Sequence, residues 1–129
     1  HEKTEHRSDI QTAAQLLQLT LLFDREDIDL LTHKIRTYKR NQDKSRPISA
    51  FEQLILTFLE KALRSPRGKP LRALFEAFHA DLENLEATTQ LAFDCRTELR
   101  LWSAARMTGR PVAELAEEMF RGDESEEAR

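Results

Sequence analysis

A glutamate and a histidine three residues apart are the feature of this sequence that comes nearest to metal chemistry. Glu76 and His79 would share one face of a helix, as the ligands of di-iron carboxylate bundles do. Those bundles use two Glu-x-x-His pairs and two further glutamates, and the sequence holds no second pair. The acidic run at 24–29 lacks the central glycine of an EF-hand loop. We therefore expect no metal and no cofactor, and we interpret Glu76 and His79 as a polar helix edge.

Catalytic motifs are equally scarce. The chain has no glycine-rich phosphate loop, no Gly-x-Ser-x-Gly elbow and no His-Glu-x-x-His sequence. Its single cysteine, Cys95, excludes an intramolecular disulfide and falls on an apolar helical pattern, so we expect it in the core. His33 lies between two apolar positions and is interpreted as a boundary residue. The sequence thus predicts a protein that is not an enzyme.

Clustered lysines and arginines are the best candidates for a ligand-binding surface in this sequence. Residues 34–72 carry 11 basic and 3 acidic groups, whereas residues 73–129 carry 6 basic and 13 acidic groups. Phosphate binding needs basic side chains gathered on one surface. The nucleic-acid-binding candidates fall into two clusters: Lys34, Arg36, Lys39, Arg40, Lys44 and Arg46, followed by Arg64, Arg67, Lys69 and Arg72. The alternative is that these side chains are solvated helix ends or contact an acidic protein.

The composition favours an all-α fold. Gly occurs 3 times and Pro 4 times in 129 residues, and charged residues make up 33% of the chain. Apolar residues at spacings of three and four predict helices over about 9–23, 25–41, 47–64 and 111–121. Asp24 is the expected N-cap of the second helix, and Pro47 is expected near the first position of the third.

The stretch from Pro70 to Met107 has no Pro or Gly inside it and shows a helical apolar pattern on both sides of a weak patch at 87–90. One unbroken helix of this length would be about 57 Å long. Either the helix breaks near Thr88 and Thr89, whose β-branched side chains lower helix propensity, or it projects and packs on another chain.

We expect a four- to five-helix bundle that forms a dimer. The predicted organisation is a disordered tail at 1–7, a single helical domain at 8–121 and an acidic disordered tail at 122–129. The second half of the long stretch carries more apolar residues than a solvent-facing arm should expose. The predicted subunit interface consists of Leu91, Leu99, Leu101, Trp102 and Met107.

Function is specified less well than fold. The first hypothesis is a non-enzymatic interaction module, a small regulatory or accessory protein that forms homodimers and docks a protein partner in a helical groove. The alternative is a nucleic-acid-binding accessory protein that uses the basic segment 34–72. No stretch has the ~18 consecutive apolar residues of a membrane span, so we expect a cytoplasmic protein that does not enter membranes.

Overall fold

The computed structural model describes the backbone of residues 2–42, 48–85 and 95–127, and side chains within 10–41, 48–85 and 95–119. All regular structure in these ranges is α-helical, which confirms the all-α prediction. There are six helices in them, where four or five were predicted. They are α1 (Glu2–Asp24), α2 (Ile28–Gln42), α3 (Ala50–Arg64), α4 (Lys69–Leu85), α5 (Arg96–Thr108) and α6 (Val112–Glu127).

Helices α1 and α2 are joined by a tight turn at residues 25–27. Glu26 adopts a left-handed conformation with φ 63°, and the backbone N–H of Asp27 donates to the carbonyl of Leu22. One cleft is lined by residues 15–19 of α1 and 34–41 of α2, so the two helices run antiparallel as predicted. The N-cap prediction for Asp24 is wrong, because Asp24 is the last residue of α1 and α2 begins only at Ile28.

Helix α3 begins with a capping box. The side chain of Ser49 accepts a hydrogen bond from the backbone N–H of Glu52, and the Glu52 carboxylate accepts one from the N–H of Ser49. These reciprocal bonds satisfy two donors that the first helical turn leaves unpaired. The predicted start at Pro47 is therefore wrong: α3 begins at Ala50, and Pro47 lies outside the described residues.

The stretch 70–107 is not one helix. Helix α4 ends at Leu85 and α5 begins at Arg96, and the two helices pack side by side. The Glu83 carboxylate lies 3.4 Å from Arg100 Nη2, and His79 lies opposite Ser103, so the order of the contacts is antiparallel. Of the two alternatives left open by the sequence, the broken helix is the observed one. The weak patch at 87–90 lies outside the described residues.

Buried side chains of α1 to α5 form one continuous core. Its centre is a cluster of aromatic rings, with centroids 5.0 Å apart for the edge-to-face pair Phe75 and Trp102 and 4.2 Å apart for the stacked pair Phe58 and Phe78. Aromatic pairs of these kinds are worth about 0.5–1.5 kcal/mol each beyond the area they bury. The cluster joins α1, α3, α4 and α5, and thereby fixes the side-by-side placement of α3 and α4.

The outer bounds of the helices differ from the predicted ones. Helix α1 begins at Glu2 rather than near Asp9, and α6 extends to Glu127 rather than ending near Arg121. The division of the chain into one domain with tails at 1–7 and 122–129 stays a prediction. Within the described residues, each helix is too short or too polar to cross a bilayer.

Candidate protein-docking groove

The predicted subunit interface lies largely inside the chain's own fold. Leu99 is 0% exposed and Trp102 is 9% exposed, both within the core. Leu101 and Met107 are half-buried, and Met107 packs against that core. Leu91 lies outside the described residues. The premise of an exposed apolar arm is therefore wrong for Leu99 and Trp102, because α5 folds back on α4 and buries them; dimerisation itself stays a prediction.

Trp102 also makes the hydrogen bond that gives Asp24 its role. The indole Nε1 donates to both Asp24 carboxylate oxygens, at 3.1 and 2.9 Å. Arg106 Nη1 lies 3.5 Å from the same carboxylate, and its guanidinium lies over the rings of Phe23 and Phe75. These contacts join the end of α1 to α5. Asp24, which the sequence predicted to cap the next helix, thus makes a long-range contact with α5 instead.

The first basic cluster is divided between two faces of α2. Lys34 lines the cleft between α1 and α2, whereas Arg36 lines the cleft between α2 and α3. Lys39 Nζ lies 2.6 Å from a carboxylate oxygen of Glu60, and Arg40 is exposed. Lys44 and Arg46 lie outside the described residues. The helix therefore does not present Lys34 and Arg36 as one phosphate-binding surface.

The second basic cluster surrounds the turn between α3 and α4. Arg64, Lys69 and Arg72 are exposed, and Arg67 forms an ion pair with Glu26. Arg64 and Arg36 line the same cleft, so the two clusters approach each other there. Because α2 and α3 are antiparallel and in contact, the middle of α2 lies beside the end of α3.

The metal and nucleophile candidates have structural partners. His79 Nδ1 lies 2.8 Å from Ser103 Oγ, and Nε2 lies 3.2 Å from a carboxylate oxygen of Glu83. Glu76 is exposed. In the part of the chain that the structure describes, no three His, Cys, Asp or Glu side chains gather as metal ligands would. Cys95 is buried in the core, as predicted.

A shallow groove runs along the outer face of α3 and α4, and we call it the α3–α4 groove. Its floor is formed by half-buried leucines and an exposed alanine: Leu54, Leu74, Ala77 and Leu85. Its rim is polar and consists of Gln53, Thr57, Lys61, Asp81 and Asn84. The surface it offers is mainly apolar. Such a floor with a polar rim is the usual make-up of a protein-binding surface.

The dimensions of the α3–α4 groove match those of a helix. On α3 it extends from Ala50 to Lys61, and on antiparallel α4 from Leu74 to Leu85. Eleven residue steps at 1.5 Å give a length of about 16 Å, or three helical turns. Lys61 and Asp81 place one charge of each sign beside the floor. The groove is thus suited to an amphipathic helix held by apolar contacts and oriented by both charges.

Sequence reasoning did not find this groove, although one signal was present. On α3, Ala50, Leu54, Thr57 and Lys61 recur at spacings of four, three and four, beside the buried stripe of Phe51, Ile55 and Phe58. A second stripe next to a buried one indicates a surface with a further neighbour. The pairing of α3 with α4, which makes the stripe into a groove, was not encoded in either helix alone.

Comparison of the chain with protein-family models, with curated proteins and with solved structures finds no match. The geometry of the described residues is therefore the basis on which a function is assigned.

Proposed function

We propose that this protein is a non-enzymatic interaction module that binds an amphipathic helix of a partner protein in the α3–α4 groove. The observation that supports the proposal is a pair of adjoining shallow pockets on the outer face of two packed helices, with Leu54, Leu74, Ala77 and Leu85 spread over about three helical turns. Both helices are rigidly held by the aromatic core beneath them, since Phe58 of α3 stacks on Phe78 of α4. Because the groove is preformed, the conformational entropy lost on binding is mainly that of the ligand helix.

The chemistry of the groove defines its partner. The ligand helix needs apolar side chains at positions i, i+3 or i+4, and i+7, to contact Leu54, Leu74 and Leu85. Near Lys61 it needs an acidic residue, and near Asp81 a basic one. Because the rim carries both signs, binding in this groove should depend only weakly on salt. That distinguishes it from phosphate binding, which weakens steeply as salt rises.

The test is selection of peptides from a library of randomised helices displayed on phage, followed by anisotropy titration of the selected peptides. Ala77→Glu places a charge on the groove floor, and Ala80→Glu is the matched control, since Ala80 is exposed on the same helix and does not line the groove. We expect Ala77→Glu to weaken binding by at least about tenfold and Ala80→Glu to leave it unchanged. Equal affinities of the two variants would contradict the proposal, as would a library that yields no binder.

The alternative function, nucleic-acid binding, keeps one favourable observation. Arg36 and Arg64 line the same cleft, and both are exposed. Against it, Lys39 and Arg67 are paired with Glu60 and Glu26. Titration of random duplex DNA into the protein at low and then moderate salt separates the two functions: salt-sensitive binding lost on Arg36→Glu would favour nucleic acid over the groove.

A further inference from the structure

The last helix is an amphipathic helix that its own chain only half covers. Helix α6 packs against α5, and among residues 112–119 no side chain is buried. Val112, Leu115, Ala116 and Met119 form one apolar stripe at spacings of three, one and three. Val112 is 43% exposed. A stripe of this kind on a helix of 16 residues is enough to bind a second apolar surface beside the one that α5 provides.

The same helix is strongly acidic. Its 16 residues include seven acidic residues against one arginine. Arg110, just before the helix, donates to Glu114 and Glu118. Hydrogen bonds with Glu118 and Glu114 raise the pKa of Arg110 above its usual range. Even when the charge of Arg110 is added to that of α6, the helix is negatively charged. A surface that complements α6 therefore carries positive charge.

The α2–α3 cleft has that character. Its floor includes Ile28, which is 47% exposed, together with Ile35 and Leu63. Arg36 and Arg64, both exposed, stand beside this floor. The carboxylate in the cleft, Glu60, is already paired with Lys39. An apolar floor beside two arginines is complementary to an acidic amphipathic helix in both hydrophobicity and charge.

Within one chain, α6 packs on α5, whereas the cleft is formed by α2 and α3. The end of α5 borders the cleft, since Arg106 lines a pocket together with Ile28 and Leu63, and the mass of the protein in solution distinguishes occupation by α6 of the same chain from occupation by a second copy. We propose that α6 of one copy occupies the α2–α3 cleft of a second copy, and that the exchange is reciprocal. Two identical contacts related by a two-fold axis close the assembly as a dimer. Helix α6, with 16 residues and a length of about 24 Å, is longer than the eight residue steps, about 12 Å, from Ile28 to Arg36 along α2.

This inference goes beyond the proposed function and uses a different face of α3, so the two can fail separately. It also differs from the interface predicted from the sequence, because Leu99 and Trp102 take no part in it. The charge asymmetry of the chain, basic in the middle and acidic toward the end, is what the reciprocal contact would use.

The first experiment measures the mass of the full chain by light scattering at about 100 μM, at low and moderate salt. We expect twice the chain mass of 15.0 kDa, with dissociation promoted by salt. Arg36→Glu with Arg64→Glu should raise the dimer dissociation constant by at least about tenfold. Lys34→Glu with Arg72→Glu changes the net charge equally at exposed positions outside the cleft and should have a much smaller effect. A wild-type monomer, or equal effects of the two double variants, would overturn the inference.

The second experiment tests reciprocity by mixing. Val112→Asp disables the stripe of α6 at an exposed position that leaves the core intact. In a dimer of Val112→Asp or of the cleft variant, both contacts are impaired, whereas a mixed dimer of the two variants retains one contact with both sides intact. At a protein concentration at which neither variant alone forms dimers, we expect the mixture to associate. If the mixture associates no better than its components, α6 does not occupy the cleft.

Discussion

Replacement of Trp102 by alanine tests whether this residue is a core residue or an interface residue. The indole lies within 6.3 Å, centroid to centroid, of four phenylalanine rings, those of Phe23, Phe58, Phe75 and Phe78. Removal of a buried aromatic side chain of this size costs about 3–5 kcal/mol. For a domain of this length, 1 kcal/mol corresponds to about 4 °C in Tm. We therefore expect Trp102→Ala to lower Tm by roughly 15 °C.

The assays are thermal unfolding for Tm and urea unfolding for the free energy of unfolding, both followed by circular dichroism, with Leu21→Ala as the control. Leu21 is 61% exposed, so its replacement should change the free energy of unfolding by less than about 0.5 kcal/mol. Trp102→Phe divides the effect: it keeps most ring contacts and removes the N–H that donates to Asp24. We expect Trp102→Phe to lower the free energy of unfolding by about 1–2 kcal/mol. The loss stays this small because the Asp24 side chain is 38% exposed and its carboxylate can form hydrogen bonds with water instead. A loss below about 1 kcal/mol for Trp102→Ala would refute the core assignment.

Two further predictions concern the helix ends. Ser49→Ala removes the acceptor for the Glu52 N–H and should lower the free energy of unfolding by about 0.5–2 kcal/mol. The measurement is urea unfolding, with Ser65→Ala as the control. An unchanged free energy of unfolding would mean that the capping box contributes nothing. Gly109 ends α5 at φ 74°, and the space that a Cβ would occupy there is open. Gly109→Ala should therefore lower the free energy of unfolding by about 1 kcal/mol from backbone strain alone, and Gly109→Asn should lower it less. Equal losses of stability for the two variants in thermal unfolding would contradict this explanation.

The helical regions were predictable because helix formation depends on residues three and four apart, which the sequence displays directly. Spacings of three, four and three predict a buried seam on α2 that consists of Ile28, Leu31, Ile35 and Tyr38. Leu31, Ile35 and Tyr38 are buried, whereas Ile28 at the start of the helix is 47% exposed. The start of α3 was predictable too, since Ser49 and Glu52 have the spacing of a capping box. The prediction placed the start at Pro47 instead, because proline is common at the first position of a helix.

What the sequence could not supply was the pairing of helices. The apolar residues of α5 were assigned to a second chain, because a single long helix would have carried them away from the core. The return of α5 onto α4 instead buries Leu99 within the same chain. The α3–α4 groove and the shared cleft of Arg36 and Arg64 also depend on which helices are neighbours. Local periodicity carries no information about that choice.

The bond between Trp102 and Asp24 joins residues 78 positions apart in the chain. Most helix contacts form between neighbours in sequence, and their closure requires only short loops. This bond closes a far longer loop, which carries a larger entropic cost. Because Trp102 is the chain's single tryptophan, its fluorescence reports the arrival of α5 at the end of α1. The protein thus contains an intrinsic optical probe of this long-range contact, separate from the helix content that circular dichroism records.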